Sequence, residues 1–199
     1  MVKAVRLPAP FPLILMLGAA AAEPSLEARV QEGVERGKRF LLSTFDLNEL
    51  VARQLATIER TANELQVEAV LASDLPAVTA DADQIAQVLS NVIENAREAM
   101  GDRGVLTVST ERLGEDQVAV TIADSGPGIA PEALPHVFDP FFTTKPMGQG
   151  TGLGLAIARG IAKMHHGDLT AGNRPEGGAV LRLCLPLQAD AESNGATIG

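Results

Sequence analysis

Apolar residues recur along this chain with two different periods, and the changes of period mark its elements. The most regular stretch runs from Asp81 or Asp83 to Gly101. There Ile85, Val88, Leu89, Val92, Ile93, Ala96 and Met100 fall on one side of a 3.6-residue repeat, the mark of an amphipathic helix. An acidic residue suits its start and Gly101 its end. Leu50, Val51, Leu55 and Ile58 make a second stripe, from Leu47 to about Ala62, with Asp46 as its cap. Helical spacing also runs from Leu153 to His165 and, weakened by Gly33 and Gly37, from Ser25 to Leu42. Alternation takes over in Gln66 to Leu71, Gly104 to Arg112, Gln117 to Ala123, Gly167 to Ala171 and Ala179 to Leu185, which predicts strands. Gly104 to Ala123 forms one hairpin and Gly167 to Leu185 another. This order of elements predicts a two-layer α/β sandwich, one mixed sheet with helices on one face.

The two ends read differently. Behind Lys3 and Arg6, the apolar run from Phe11 to Ala22 fits a secretory signal, a membrane span or a helix of a packed hairpin. The run is shorter than the ~20 apolar residues a bilayer needs, and Pro8, Pro10 and Pro12 interrupt its start, which disfavours a span. Residues 188–199 are polar and are expected to fray.

Candidate chemistry gathers where the periodicity breaks. Asp124-Ser125-Gly126-Pro127-Gly128 follows a strand, and Gly148-Gln149-Gly150-Thr151-Gly152-Leu153-Gly154 opens a helix. Glycine lets backbone N–H groups come close to a ligand, and a helix start adds oriented N–H groups and a positive dipole end, which suits phosphate. A carboxylate at a strand end can accept from a neutral base. The second turn lacks the Lys-Ser/Thr ending of a P-loop, and its spacing does not fit a Rossmann fingerprint. Upstream, Asn91 and Asn95 lie one helical turn apart on the same side. Asn is a poor residue for a helix centre, and an amide oxygen can coordinate Mg²⁺ without adding charge. These parts describe a nucleotide site with a mobile lid between the two turns.

Composition narrows the partners. A net charge of −9 argues against nonspecific nucleic-acid binding, and the absence of Trp and Tyr leaves few stacking platforms. The single cysteine, Cys184, excludes an internal disulfide and fits a small buried hydrophobe.

Asn91-Val92-Ile93-Glu94-Asn95-Ala96, Asp124-Ser125-Gly126-Pro127-Gly128-Ile129, Phe138-Asp139-Pro140-Phe141-Phe142-Thr143-Thr144-Lys145 and Gly150-Thr151-Gly152-Leu153-Gly154-Leu155 resemble the N, G1, F and G2 boxes of sensor histidine kinases. That family shares a superfamily with gyrase and the heat-shock chaperones. The resemblance covers residues 45–187, in order and spacing. It implies the Bergerat α/β sandwich, Mg²⁺ and ATP as ligands, and transfer of the γ-phosphoryl group to a histidine. By resemblance Asn95 holds the metal, Asn91 contacts the phosphates or helps place it, and Asp124 accepts from the adenine amino group. Gly126, Gly128 and Ile129 line the base. Phe138 to Lys145 forms the lid, with Thr144 and Lys145 near the phosphates. Gly150, Thr151, Gly152, Leu153, Gly154 and Leu155 wrap the triphosphate. Asn91, Asn95 and Lys145 are thus the expected catalytic set.

Hydrolases and serine kinases of the superfamily carry Glu where this chain has Asn91. That Glu activates water or a hydroxyl, so Asn91 favours a histidine acceptor. Glu94 is a nearby substitute, but it points about 100° away from Asn95 around the helix. The family's phosphoacceptor histidine sits on a hairpin before the catalytic domain. The histidines here are His136, His165 and His166, all downstream. Residues 1–42 are therefore expected to be a truncated or degenerate hairpin, in competition with a signal-like start. Val180 stands where the family often has Thr.

The resulting expectation is a cytoplasmic two-component histidine kinase catalytic domain. It would phosphorylate a histidine supplied by another chain and work with a response regulator receiver domain, with homodimer formation open. The alternative is a non-catalytic ATP-binding module that regulates a partner kinase.

Overall fold

The computed structural model describes residues 42–59, 64–101, 103–145 and 150–188. In chain order the elements are β1 (Leu42–Phe45), α1 (Leu47–Glu59), β2 (Glu64–Val70), β3 (Val78–Asp81), α2 (Ala82–Met100), β4 (Arg103–Leu113) and β5 (Gln117–Asp124). A short 3₁₀ turn (Leu134–His136) precedes α3 (Gly154–Met164), β6 (Asp168–Asn173) and β7 (Ala179–Pro186).

Five strands form one mixed sheet in the order β2-β4-β5-β7-β6. β2 runs parallel to β4, with Val67 beside Leu106, and the remaining pairs are antiparallel. The alternation in sequence becomes alternation in burial. Leu181, Leu183 and Leu185 of β7 are buried, while Val180, Arg182 and Cys184 between them are half-buried. The buried face meets the predicted stripe of α2, together with Ala158, Ile161 and Ala162 of α3 and Leu47, Leu50, Val51 and Leu55 of α1. Burial of these side chains from water is the main force holding the two layers.

The caps follow the sequence. Asp81 accepts from the N–H groups of Asp83 and Gln84, both at 3.1 Å, so Asp81 rather than Asp83 starts α2. Gly101 ends it in the left-handed region, φ 65°. Asp46 caps α1 through the Asn48 N–H at 2.8 Å. The expected continuation of α1 to Ala62 lies outside the described residues, as do the readings for residues 1–41 and 189–199.

Two expectations change. Leu42 begins a strand rather than ending a helix, and β1 pairs antiparallel with β3 in a separate two-stranded sheet. Neither strand has a period-2 signal long enough to read, since each is four residues long. Each is instead defined by its partner, with Thr44 and Thr79 hydroxyls 3.0 Å apart. At the other end Gln188 is not frayed. It forms a parallel bridge with Thr79, and the Thr79 N–H donates to the Leu187 carbonyl at 3.0 Å. Among the described residues no helix is long and apolar enough to cross a membrane.

Candidate functional site

The end of β5, the polar side of α2, the segment after the 3₁₀ turn and the start of α3 enclose a cleft of about 1130 Å³. Its size suits a nucleotide-scale ligand. Of the residues expected at the site, Asn91, Asn95, Asp124, Gly128, Ile129, Thr144, Lys145, Gly150, Thr151, Gly152, Gly154 and Leu155 line it.

At one end stands Asp124, 3% exposed. Its Oδ1 accepts from the Gly126 N–H at 2.9 Å and the Ala179 N–H at 3.1 Å. Neither of these bonds uses Oδ2, and among the described residues the one buried side-chain polar atom without a partner is Arg182 Nε, so Asp124 Oδ2 stays accessible on the cleft side. A buried carboxylate with one oxygen fixed and the other open is a preorganised acceptor. The close fit of β7 makes this possible. A Cβ on Gly178 would lie 1.9 Å from the Asp124 carbonyl oxygen, so only glycine lets the β6–β7 turn pass there.

At the other end α3 begins without a side-chain cap at Leu153. Thr151 Oγ1 accepts from the Leu153 N–H at 3.3 Å and shapes the approach to the helix. The first-turn N–H groups therefore open on the cleft, where an anion would be favoured. Between the ends lies the α2 pair. Asn91 Nδ2 donates to the Gly154 carbonyl at 3.1 Å, so its Oδ1 faces away from that contact. Asn95 Oδ1 accepts from Lys145 Nζ at 3.5 Å, so this oxygen already faces a cation. Two neutral amide oxygens suit Mg²⁺, which takes its remaining ligands from water and phosphate. Among the described residues no cluster of three His, Cys, Asp or Glu side chains offers a metal cage.

Both cations of the cleft are engaged. Lys145 is ion-paired with Glu98, and Arg97 with Glu94. The Arg97 hydrogen bond holds the Glu94 carboxyl below its usual range, against the opposing effect of burial. A carboxylate so stabilised is a poor base. Glu94 lines the cleft, yet it is not poised to activate water.

Three expected residues stand elsewhere. Gly126 supplies a backbone bond to Asp124 from behind the cleft wall, and Leu153 is the helix cap position. Phe138 packs against the core with the Arg159 guanidinium 4.8 Å from its ring centre, so it anchors the segment after the 3₁₀ turn rather than lining the cleft. Phe142 lines the cleft instead, while Phe141 is 75% exposed with φ 67°. The Phe141 N–H donates to the Gly152 carbonyl at 2.9 Å and ties this segment to the second glycine turn.

The pattern reading missed Glu98, Arg97, Ala179 and the β6–β7 turn. Glu98 was legible in principle, since it continues the Asn91–Asn95 face by one turn. The turn was not, because it reaches the site only through strand pairing.

A family model described as histidine kinase-, DNA gyrase B- and HSP90-like ATPase matches residues 80–189. The chain belongs to this family. Within it, the chain is a histidine kinase catalytic domain of the two-component type. It is 37% identical over 150 residues to the sensor histidine kinase ZraS of Salmonella typhimurium, covering 74% of this chain and 32% of that protein. The C4-dicarboxylate transport sensor protein DctS of Rhodobacter capsulatus is 36% identical over 177 residues, 86% of this chain and 26% of that one. The chain thus spans about a third or less of the curated relatives it matches. Among solved structures, the catalytic domain of histidine kinase ThkA in a nucleotide-free form aligns with a TM-score of 0.67. That alignment has 33% identity and covers 74% of this chain and 98% of that one. ThkA in complex with the response regulator TrrA aligns at 0.64 and 32% identity, covering 83% and 48%. The fold is accordingly the Bergerat sandwich of histidine kinase catalytic domains.

Proposed function

We propose that this domain binds Mg·ATP and transfers the γ-phosphoryl group to a histidine on another chain. The observation that carries the reading is the placement of the Asn91–Asn95 pair between a half-open buried carboxylate and an uncapped helix start, around one cleft. Asp124 Oδ2 accepts from the adenine amino group. The α3 N-terminus and the Gly150–Gly154 turn hold the phosphates, and Asn95 with Asn91 holds Mg²⁺. The metal, when bound, neutralises phosphate charge; the chain's own contribution is to position and to exclude water.

The acceptor is argued from what stands beside Asn91. A hydrolase or serine kinase needs a base there, position 91 supplies an amide, and Glu94 is committed to Arg97. An imidazole is nucleophilic without such help. ThkA is recorded with a response regulator. By analogy the phosphoryl group would pass on to a receiver domain in this system too.

The test is titration calorimetry with Mg·ATP, followed by incubation with labelled ATP and a separate phosphoacceptor domain. Binding and acid-labile label on the acceptor histidine are expected, and Asn95→Ala should abolish both while the fold persists. A flat titration on folded protein would falsify the reading.

A further inference from the structure

The turn that carries Asp124 is braced from outside the cleft by a side chain that no motif includes. Asn173 ends β6 and does not line the cleft. Its Oδ1 accepts from the Ile129 N–H at 2.7 Å, and its Nδ2 donates to the Ile129 carbonyl at 2.7 Å. One carboxamide thus serves both backbone groups of one residue, as a β-bridge would. The pairing fixes the amide's orientation, because a flip would set donor against donor and oxygen against oxygen.

Ile129 needs such a tether. The near end of its segment is held by the Ser125 N–H on the Val105 carbonyl at 3.1 Å, with the Val105 N–H on Ser125 Oγ at 2.9 Å. The far end is held at the Ala130 carbonyl, which accepts from Ala133 and Leu134. Between them Gly128 and Ile129 form the cleft wall. A Cβ on Gly128 would meet Asn173 Oδ1 at 2.9 Å and the Gly178 carbonyl at 3.4 Å, so the wall lies flush against the β6–β7 turn. The same turn fixes Asp124, through Arg174 Nη1 on its carbonyl at 3.2 Å and the Ala179 N–H on its Oδ1.

We propose that Asn173 is a positioning residue for base selection. It sets the Gly128–Ile129 wall against the Asp124 acceptor, so that the site takes adenine in preference to guanine. The inference rests on the nucleotide reading above and adds to it the residue that sets the base wall. Asn173 reaches the ligand only through backbone, and its effect falls on the base end and spares the phosphate end.

The experiment compares wild type with Asn173→Ala and Asn173→Asp. The aspartate keeps the acceptor for the Ile129 N–H but places a carboxylate oxygen against the Ile129 carbonyl. Calorimetric affinities are measured for Mg·ATP, Mg·GTP and Mg·tripolyphosphate, with melting temperature beside them. Loss of the tether should weaken Mg·ATP about tenfold in the alanine variant and at least as much in the aspartate. The ATP-to-GTP ratio should narrow, and Mg·tripolyphosphate should stay within about twofold, as expected for a distant site. If the alanine variant melts below the assay temperature, Asn173→Ser, which keeps an acceptor oxygen, carries the same comparison. An unchanged ATP-to-GTP ratio in folded variants overturns the inference alone, as does an equal loss for all three ligands. Failure of wild type to bind Mg·ATP overturns the nucleotide reading beneath it.

Discussion

Asn91 Nδ2 donates to the Gly154 carbonyl at 3.1 Å, joining the middle of α2 to the first residue of α3. The bond crosses the cleft floor and uses the donor half of the amide, leaving the oxygen for a ligand. Asn91→Asp replaces that donor with a carboxylate oxygen facing a carbonyl. Stability should fall by about 1 kcal/mol, since the contact is only partly buried. Mg·ATP binding should be lost, measured by urea denaturation and calorimetry on the same material.

Lys145 sits on Glu98 and against Asn95, so an incoming triphosphate competes with Glu98 for it. The pair is partly exposed, at 29% and 40% of the two side chains, which limits its strength to about 1 kcal/mol. Glu98→Gln should therefore tighten Mg·ATP by no more than about fivefold and leave folding nearly unchanged. Affinity measured at several salt concentrations checks it. Weaker binding in the variant would instead make Glu98 part of the metal site.

The fit between the β6–β7 turn and Asp124 can be tested by adding one methyl group. Gly178→Ala drives a Cβ into the Asp124 carbonyl at φ 89° and should destabilise by more than about 3 kcal/mol. Gly177→Ala, at φ 102° with nothing within 4 Å, carries the backbone strain alone, about 1–2 kcal/mol. Gly160 is exposed inside α3 with open space around it, so Gly160→Ala should stabilise by about 0.5–1 kcal/mol. Denaturant midpoints of the three variants give the order.

His165 is buried at the end of α3 and bonds Gln84 through Nε2 at 3.2 Å. Burial lowers its pKa, Asp81 opposes that, and His166 adds to it. The folded state therefore holds this imidazole neutral where the unfolded chain would protonate it. Stability contributed this way is present above the unfolded value of about 6.5 and is lost as pH falls from there through the folded pKa. Chemical denaturation from about pH 7 to about pH 5 should show this decline, and His165→Gln should flatten it.

Glu94 acts lower on the scale. Its depressed pKa adds stability that is lost only as pH falls below the ordinary glutamate range. The two effects therefore separate, and Arg97→Gln should reduce the acidic decline, to which Asp168 and Glu176 also contribute through their own lowered pKa values, while leaving that of His165.

The stripe of α2, the alternation in β4, β5 and β7, and the four boxes were legible in the chain because each depends on residues close in sequence. Local periodicity dictates which face is apolar, and glycine at a strand end or helix start dictates how closely backbone can approach. That was enough to bring Asn91, Asn95, Asp124 and the Gly150–Gly154 turn to one cleft. Tertiary structure alone decided the rest. β1 and β3 exist because they pair, Phe138 turned inward because Arg159 and the core received it, and Glu98 captured Lys145 across 47 residues. Asn173 found Ile129 across 44 residues because sheet order placed β6 beside β7 and carried the β6–β7 turn up to the end of β5. Such contacts leave no period in the chain, since the energy that selects them arises only once distant segments share the same water-excluded space.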